Sequence, residues 1–139
     1  MEKTLIPIAD ISAEIEKHKT PADSFRAEAA WRANASYARE TQRFDLVLKY
    51  FDAWIRQRRR TTELVQVLLP ETGAFYGNQF VDGDDSVTRL IDFGFTKMQW
   101  HRRTRELSVP LHVLESYLDD CIAKSINPSL HGMLNFALG

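Results

Sequence analysis

Apolar residues recur every three or four positions through most of this chain, and no run sustains the period of two that a half-buried strand requires. The pattern predicts an all-α fold in one domain. Its parts are an N-terminal arm with a short helix (residues 1–20), a long helical region, bent or broken (21–70), a loop (71–85), and a helix-turn-helix with two C-terminal helices (86–139). Any strand is confined to residues 5–8 or to the loop. In the arm, Leu5, Ile6 and Ile8 are apolar and Pro7 keeps them extended, and Asp10 can cap a helix whose Ile11 and Ile15 face one way. That arm packs either onto the body or onto a second copy of the chain.

Thr20-Pro21-Ala22-Asp23 is a helix start: a Thr cap, Pro at the first position and an acid near the positive end of the dipole. No Gly or Pro follows until Pro70. The first half is rich in Ala, the best helix former. The second half sets Phe44, Leu48, Phe51, Ile55, Thr62, Val65 and Leu69 on one stripe, with Tyr50 and Trp54 off it as a second contact surface. One small hairpin cannot cover so long a stripe. The helix therefore breaks or bends near residues 39–43, or it pairs with a partner chain, and a homodimer is expected. Leu69-Pro70-Glu71-Thr72-Gly73 spells a sortase signal, but without a following apolar span and basic tail it reads as a helix end.

Residues 86–110 carry the functional expectation. Val87, Leu90 and Ile91 form an apolar face, Gly94 suits a left-handed C-cap, and Phe95 plugs the space between two helices. Thr96 caps the second helix, in which Trp100, Thr104 and Leu107 form an inward stripe. Lys97, Gln99, His101, Arg102 and Arg105 fall on other faces, and residues 96–105 hold four Lys or Arg and no acid. This is the spacing of a helix-turn-helix, whose second helix enters a DNA major groove.

Phe93-Gly94-Phe95-Thr96-Lys97-Met98-Gln99, followed by Arg102, Leu107 and Val109-Pro110, resembles the C-terminal helix-turn-helix of small ParB-like proteins of phages and mobile elements. The likeness extends over residues 33–137, with its specific part at the centre. It implies an all-helical fold, DNA as partner, and a role as regulator or partition or packaging accessory. Three departures stand out: Arg103 replaces the family's usual Trp, Glu106 stands where an apolar residue is usual, and the preceding loop carries Asp82, Asp84 and Asp85.

The chain has 139 residues, 44% hydrophobic and 27% charged, with a net charge of −1, so any nucleic-acid footprint must be a local patch. Arg56, Arg58, Arg59 and Arg60 make the densest charge run. They wrap around a helix, reading either as its solvated end or as a phosphate clamp beside the reader helix. Cys121 is alone and sits on an apolar helical face, as a small buried hydrophobe does. There is no Gly-rich phosphate loop, no Cys/His cluster at zinc spacing and no ParB-type nucleotide-binding box. No cofactor, metal site or enzymatic activity is expected, and without a signal peptide or membrane-length apolar run the expected place is the cytoplasm.

The reading that unites these features is a non-catalytic protein binding double-stranded DNA. Its expected contacts are Thr96, Lys97, Gln99, His101, Arg102, Arg103 and Arg105, with Arg56, Arg59 and Arg60 on phosphates. The alternative is a protein-interaction module, such as a mobile-element inhibitor or adaptor, that meets a protein partner through the acidic loop.

Overall fold

The computed structural model describes residues 11–69 and 90–139. The expectations for the extended arm, for the acidic loop and for Ser86 and Val87 at the start of the helix-turn-helix lie outside those residues. Among the described residues six helices run in order: α1 (Ile11–Glu16), α2 (Pro21–Glu40), α3 (Phe44–Leu68), α4 (Lys97–Leu107), α5 (Leu111–Lys124) and α6 (Leu130–Leu138). A 3-10 turn, Leu90–Phe93, precedes α4. No strand occurs among the described residues.

The long helical region is two helices. α2 starts as its residues dictate, with the Thr20 side chain accepting from the Asp23 N–H at 3.2 Å and Pro21 in the first turn. It stops at Glu40. Gln42 adopts the left-handed conformation at φ 57° and donates its N–H to the Arg39 carbonyl, while the Arg43 N–H reaches the Ala38 carbonyl at 2.8 Å. This paired capping satisfies the last carbonyls of α2 and reverses the chain. At the far end α3 closes at Leu69, held extended at ψ 147°, the conformation favoured before a proline.

The reversal lays α2 along α3 as an antiparallel hairpin. Ala38 and Val47 pack near the turn, and the Trp31 and Tyr50 rings lie 6.1 Å apart further along. Beyond them a buried polar cluster ties the hairpin: Trp31 Nε1 donates to Gln57 Oε1 at 3.1 Å, and Gln57 Nε2 donates to Ser24 Oγ at 2.9 Å. Ser24 also meets the Thr61 hydroxyl at 2.5 Å. Each of these buried polar side chains thus has a partner, as burial requires.

The opposite side of α3 holds the second core. Leu48, Phe51 and Ile55 pack against Leu114, Tyr117 and Cys121 of α5 and Met133 of α6. The stripe on α3 is therefore covered within one chain, by α2 on one side and by α5 and α6 on the other. The expectation of a homodimer, which rested on an uncovered stripe, loses that support. Tyr50 and Trp54 do form a second contact surface, and its partner is α2. Likewise α1 buries Ile15 and packs on α3 of the same chain.

Spaced three and four apart, Leu111, Leu114, Leu118 and Ile122 predict an inward stripe for α5, and that stripe needs correcting. Leu114, Tyr117 and Cys121 are buried, whereas Leu111 and Ile122 are exposed. A stripe drawn through leucines alone missed that Tyr117 turns inward with its hydroxyl satisfied: it accepts from the Ser129 N–H at 3.0 Å. Gly132 makes room for that hydroxyl, since a Cβ there would collide with it. Cys121 is fully buried, as expected of a small hydrophobe.

Candidate nucleic-acid interface

The 3-10 turn, Gly94 and α4 build the candidate site. Gly94 takes φ +79° and the Phe95 N–H reaches back to the Leu90 carbonyl at 3.2 Å, so the turn closes in the left-handed manner its glycine permits. Of the first helix of a helix-turn-helix, the described residues contain only this one turn. Phe95 is buried with Val65, Leu90 and Trp100, and its ring lies 5.5 Å from that of Trp100. α4 begins with a complete capping box: Thr96 Oγ1 accepts from the Gln99 N–H at 3.1 Å, and Gln99 Oε1 accepts from the Thr96 N–H at 2.9 Å. Both side chains, expected at DNA, are occupied in starting the helix.

The inward face of α4 differs from the expected one. It is Trp100, Arg103 and Glu106, with Thr104 and Leu107 half-buried beside them. Arg103, expected to touch DNA, forks onto Glu28 of α2 at 2.7 and 3.0 Å, with its guanidinium about 5 Å from the Phe25 and Phe95 ring centres. Glu106 takes a second fork from Arg58 of α3 at 2.7 and 2.8 Å. Arg58 also stands 3.9 Å from Glu28, so the four side chains join α2, α3 and α4 through one buried ionic chain. Burial opposes the Arg58 charge, but the Glu106 hydrogen bonds and the two carboxylates outweigh it and hold its pKa above the ordinary value. Arg103 and Glu106 are thus complementary parts of one network.

The rest of the arginine run is also engaged internally. Arg59 donates to the Glu106 and Val109 carbonyls at 2.9 and 2.6 Å, capping the C-terminal end of α4. Arg56 bonds Asp52 at 3.0 Å and stands 3.5 Å from Glu115 of α5, and Arg60 donates to the His18 carbonyl at 3.3 Å. The run reaches α4, α5 and the link after α1, and Arg56, Arg59 and Arg60 line one hollow of about 260 Å³ beside α1, which no residue of α4 lines. Arg56, Arg59 and Arg60 are structural contacts in this fold.

What remains outward on α4 is Lys97, Met98, His101, Arg102 and Arg105, all exposed. Helical spacing puts these five on one side, opposite Trp100 and Arg103. No acid lies among them, and α4 has no acidic residue in its first turn. The face is rigidly backed, since its inner side is locked to two other helices. A side chain on such a support can read a groove.

The fold is all-helical among the described residues, and this face of α4 is basic. Compared with known proteins, the chain matches no family model, no curated protein and no solved structure. Among the described residues no group of three or more His, Cys, Asp or Glu could hold a metal ion, and no helix is long and apolar enough to cross a membrane.

The Glu28–Arg103 and Arg58–Glu106 pairs escaped sequence reasoning because their partners lie 75 and 48 positions apart. One local signal existed: Glu106 within an otherwise apolar spacing asks for a buried cation.

Proposed function

We propose that this chain is a non-catalytic DNA-binding protein that places the outward face of α4 in the major groove of a duplex. The observation that supports this reading is the acid-free face of Lys97, His101, Arg102 and Arg105 on a helix whose opposite face is fixed in the core. Its sequence resemblance to the ParB-like proteins of phages and mobile elements suggests the wider role, as regulator or partition or packaging accessory. The contact set is narrower than the sequence implied: Arg102 and Arg105 are the principal readers, with Lys97 and His101 beside them.

Fluorescence anisotropy against random and enriched duplexes at two salt concentrations tests this. Affinity should fall steeply with salt, as counterions are released. Arg102→Ala should cost about 1–3 kcal/mol on the preferred site and relax specificity there. Absence of binding to every duplex, or binding untouched by Arg102→Ala and Arg105→Ala together, would favour the second reading, a protein-interaction module. One observation speaks for that alternative: Met98, 80% exposed, sits in the middle of the same face.

A further inference from the structure

Beside the outward face of α4 runs a groove of about 450 Å³ between α2, α4 and the start of α6. Arg32, Arg39, Arg58 and Arg102 line it, with Phe51 and Trp54 among its walls, and no carboxylate lines it. Arg58 is committed to Glu106. Arg32, Arg39 and Arg102 have no carboxylate partner among the described residues. Arg58 and Arg103, the arginines at the centre of the fold, are matched with acids, whereas these three exposed guanidinium groups share one groove without an acid in its lining.

Its layout favours an extended anion. Arg32, Ser36 and Arg39 stand at helical spacings of four and three, on one side of α2. The step of seven positions from Arg32 to Arg39 spans about 10 Å of helix axis. That is the axial rise of about three phosphates on one DNA strand. The small side chains Ala35 and Ser36 leave the space between them open. Arg102 also lines the adjoining hollow of about 300 Å³ next to Gly94 and Gln99, so the groove is continuous with the first turns of α4.

We propose that this groove is a backbone track: when α4 occupies the major groove, the flanking strand of the same duplex lies along α2 with its phosphates on Arg32 and Arg39, and Arg102 at the junction. This rests on the DNA-binding reading of α4. It adds two contacts that the arginine run of α3 does not provide, on a helix outside the helix-turn-helix.

The test compares the full chain with Arg32→Ala/Arg39→Ala and with Lys49→Ala/Lys124→Ala, which removes equal charge outside the groove. Anisotropy of a labelled duplex is titrated over a salt series. The groove variant should lower the slope of log K against log salt by about 1.8, from about 0.9 per phosphate contact, and weaken random and enriched duplexes alike. The control pair should leave the slope unchanged. Circular dichroism of each variant verifies that α2 persists. Equal slopes for the parent and the groove variant would overturn the track while leaving the α4 reading in place. A parallel titration follows tryptophan emission with inorganic triphosphate and a short single strand, because Trp54 is half-buried under Arg32 at 5.7 Å while Trp31 and Trp100 are buried. A response to these ligands that needs Arg32 and Arg39, in a protein that binds no duplex, would overturn the duplex track and the α4 reading and leave a site for small phosphates. No response to any of the three would overturn all of it.

Discussion

The arginines of α3 and those on the outer face of α4 are alike in sequence and opposite in use. Arg56, Arg58, Arg59 and Arg60 form the densest basic run in the chain, yet each reaches an acid or a carbonyl of the fold. Arg102 and Arg105 lie in a sparser stretch and face solvent. The difference is one of position relative to the core. α3 is the central helix, touched by α1, α2, α4 and α5, so a long cation on almost any of its faces meets another element. α4 has one buried side only. Charge density along a sequence therefore says little about where a partner can bind; the number of covered faces decides it.

Removing one member of the buried ionic chain should break this contrast most sharply. Glu106→Ala leaves Arg58 without its bidentate partner at a side-chain exposure of 14%, and should cost about 3–5 kcal/mol in urea unfolding. Replacing both partners, Arg58→Met with Glu106→Leu, should recover most of that loss. Arg102→Ala, by contrast, should move stability by less than about 0.5 kcal/mol. If the single Glu106 variant lost under about 1 kcal/mol, the claim that this network joins three helices would fail.

Arg59→Ala should have the next largest effect. Its guanidinium caps the end of α4 through two charge-assisted bonds, so about 1–3 kcal/mol of stability should go. Hydrogen exchange should show faster opening at residues 104–109. The salt dependence of duplex binding should not change, and a lowered slope would restore the phosphate-clamp role.

The smallest effect is a pH dependence on α3. Burial is the main cause of a raised Asp52 pKa, with the Glu115 charge adding to it and the Arg56 hydrogen bond and charge opposing. The folded state thus retains this proton above the ordinary carboxylate value. The stabilising contribution is complete below that value and is lost as pH rises through the raised one. Asp52→Asn should therefore flatten the stability profile as pH rises above about 4, the ordinary carboxylate value. Parallel urea midpoints for parent and variant across that range would show that Asp52 does not titrate there.

Local chemistry was legible wherever it acts over a few residues. Thr20 and Thr96 cap as their positions demand, Gly94 turns left-handed, and the break after Glu40 falls within the residues 39–43 marked for it. The break itself is less expected in its means: Gln42, a residue with a Cβ, takes a left-handed conformation that costs about 1–2 kcal/mol more than for glycine. That conformation persists because it lets two helices pack along their whole length.

By itself the sequence determined an all-helical chain, its caps and breaks, the core role of Trp100 and Cys121, and the basic outer side of α4. Those features follow from propensity and from a period of 3.6, which act within a turn or two. The tertiary structure alone decided that Arg103 and Glu106 point inward, that the arginine run of α3 holds the fold together, and that Arg32 and Arg39 meet Arg102 across a groove. A charged side chain goes inside only where a partner of opposite sign waits, and here Arg103 finds Glu28 on a helix far away in the chain. Such pairings are made by the docking of whole helices.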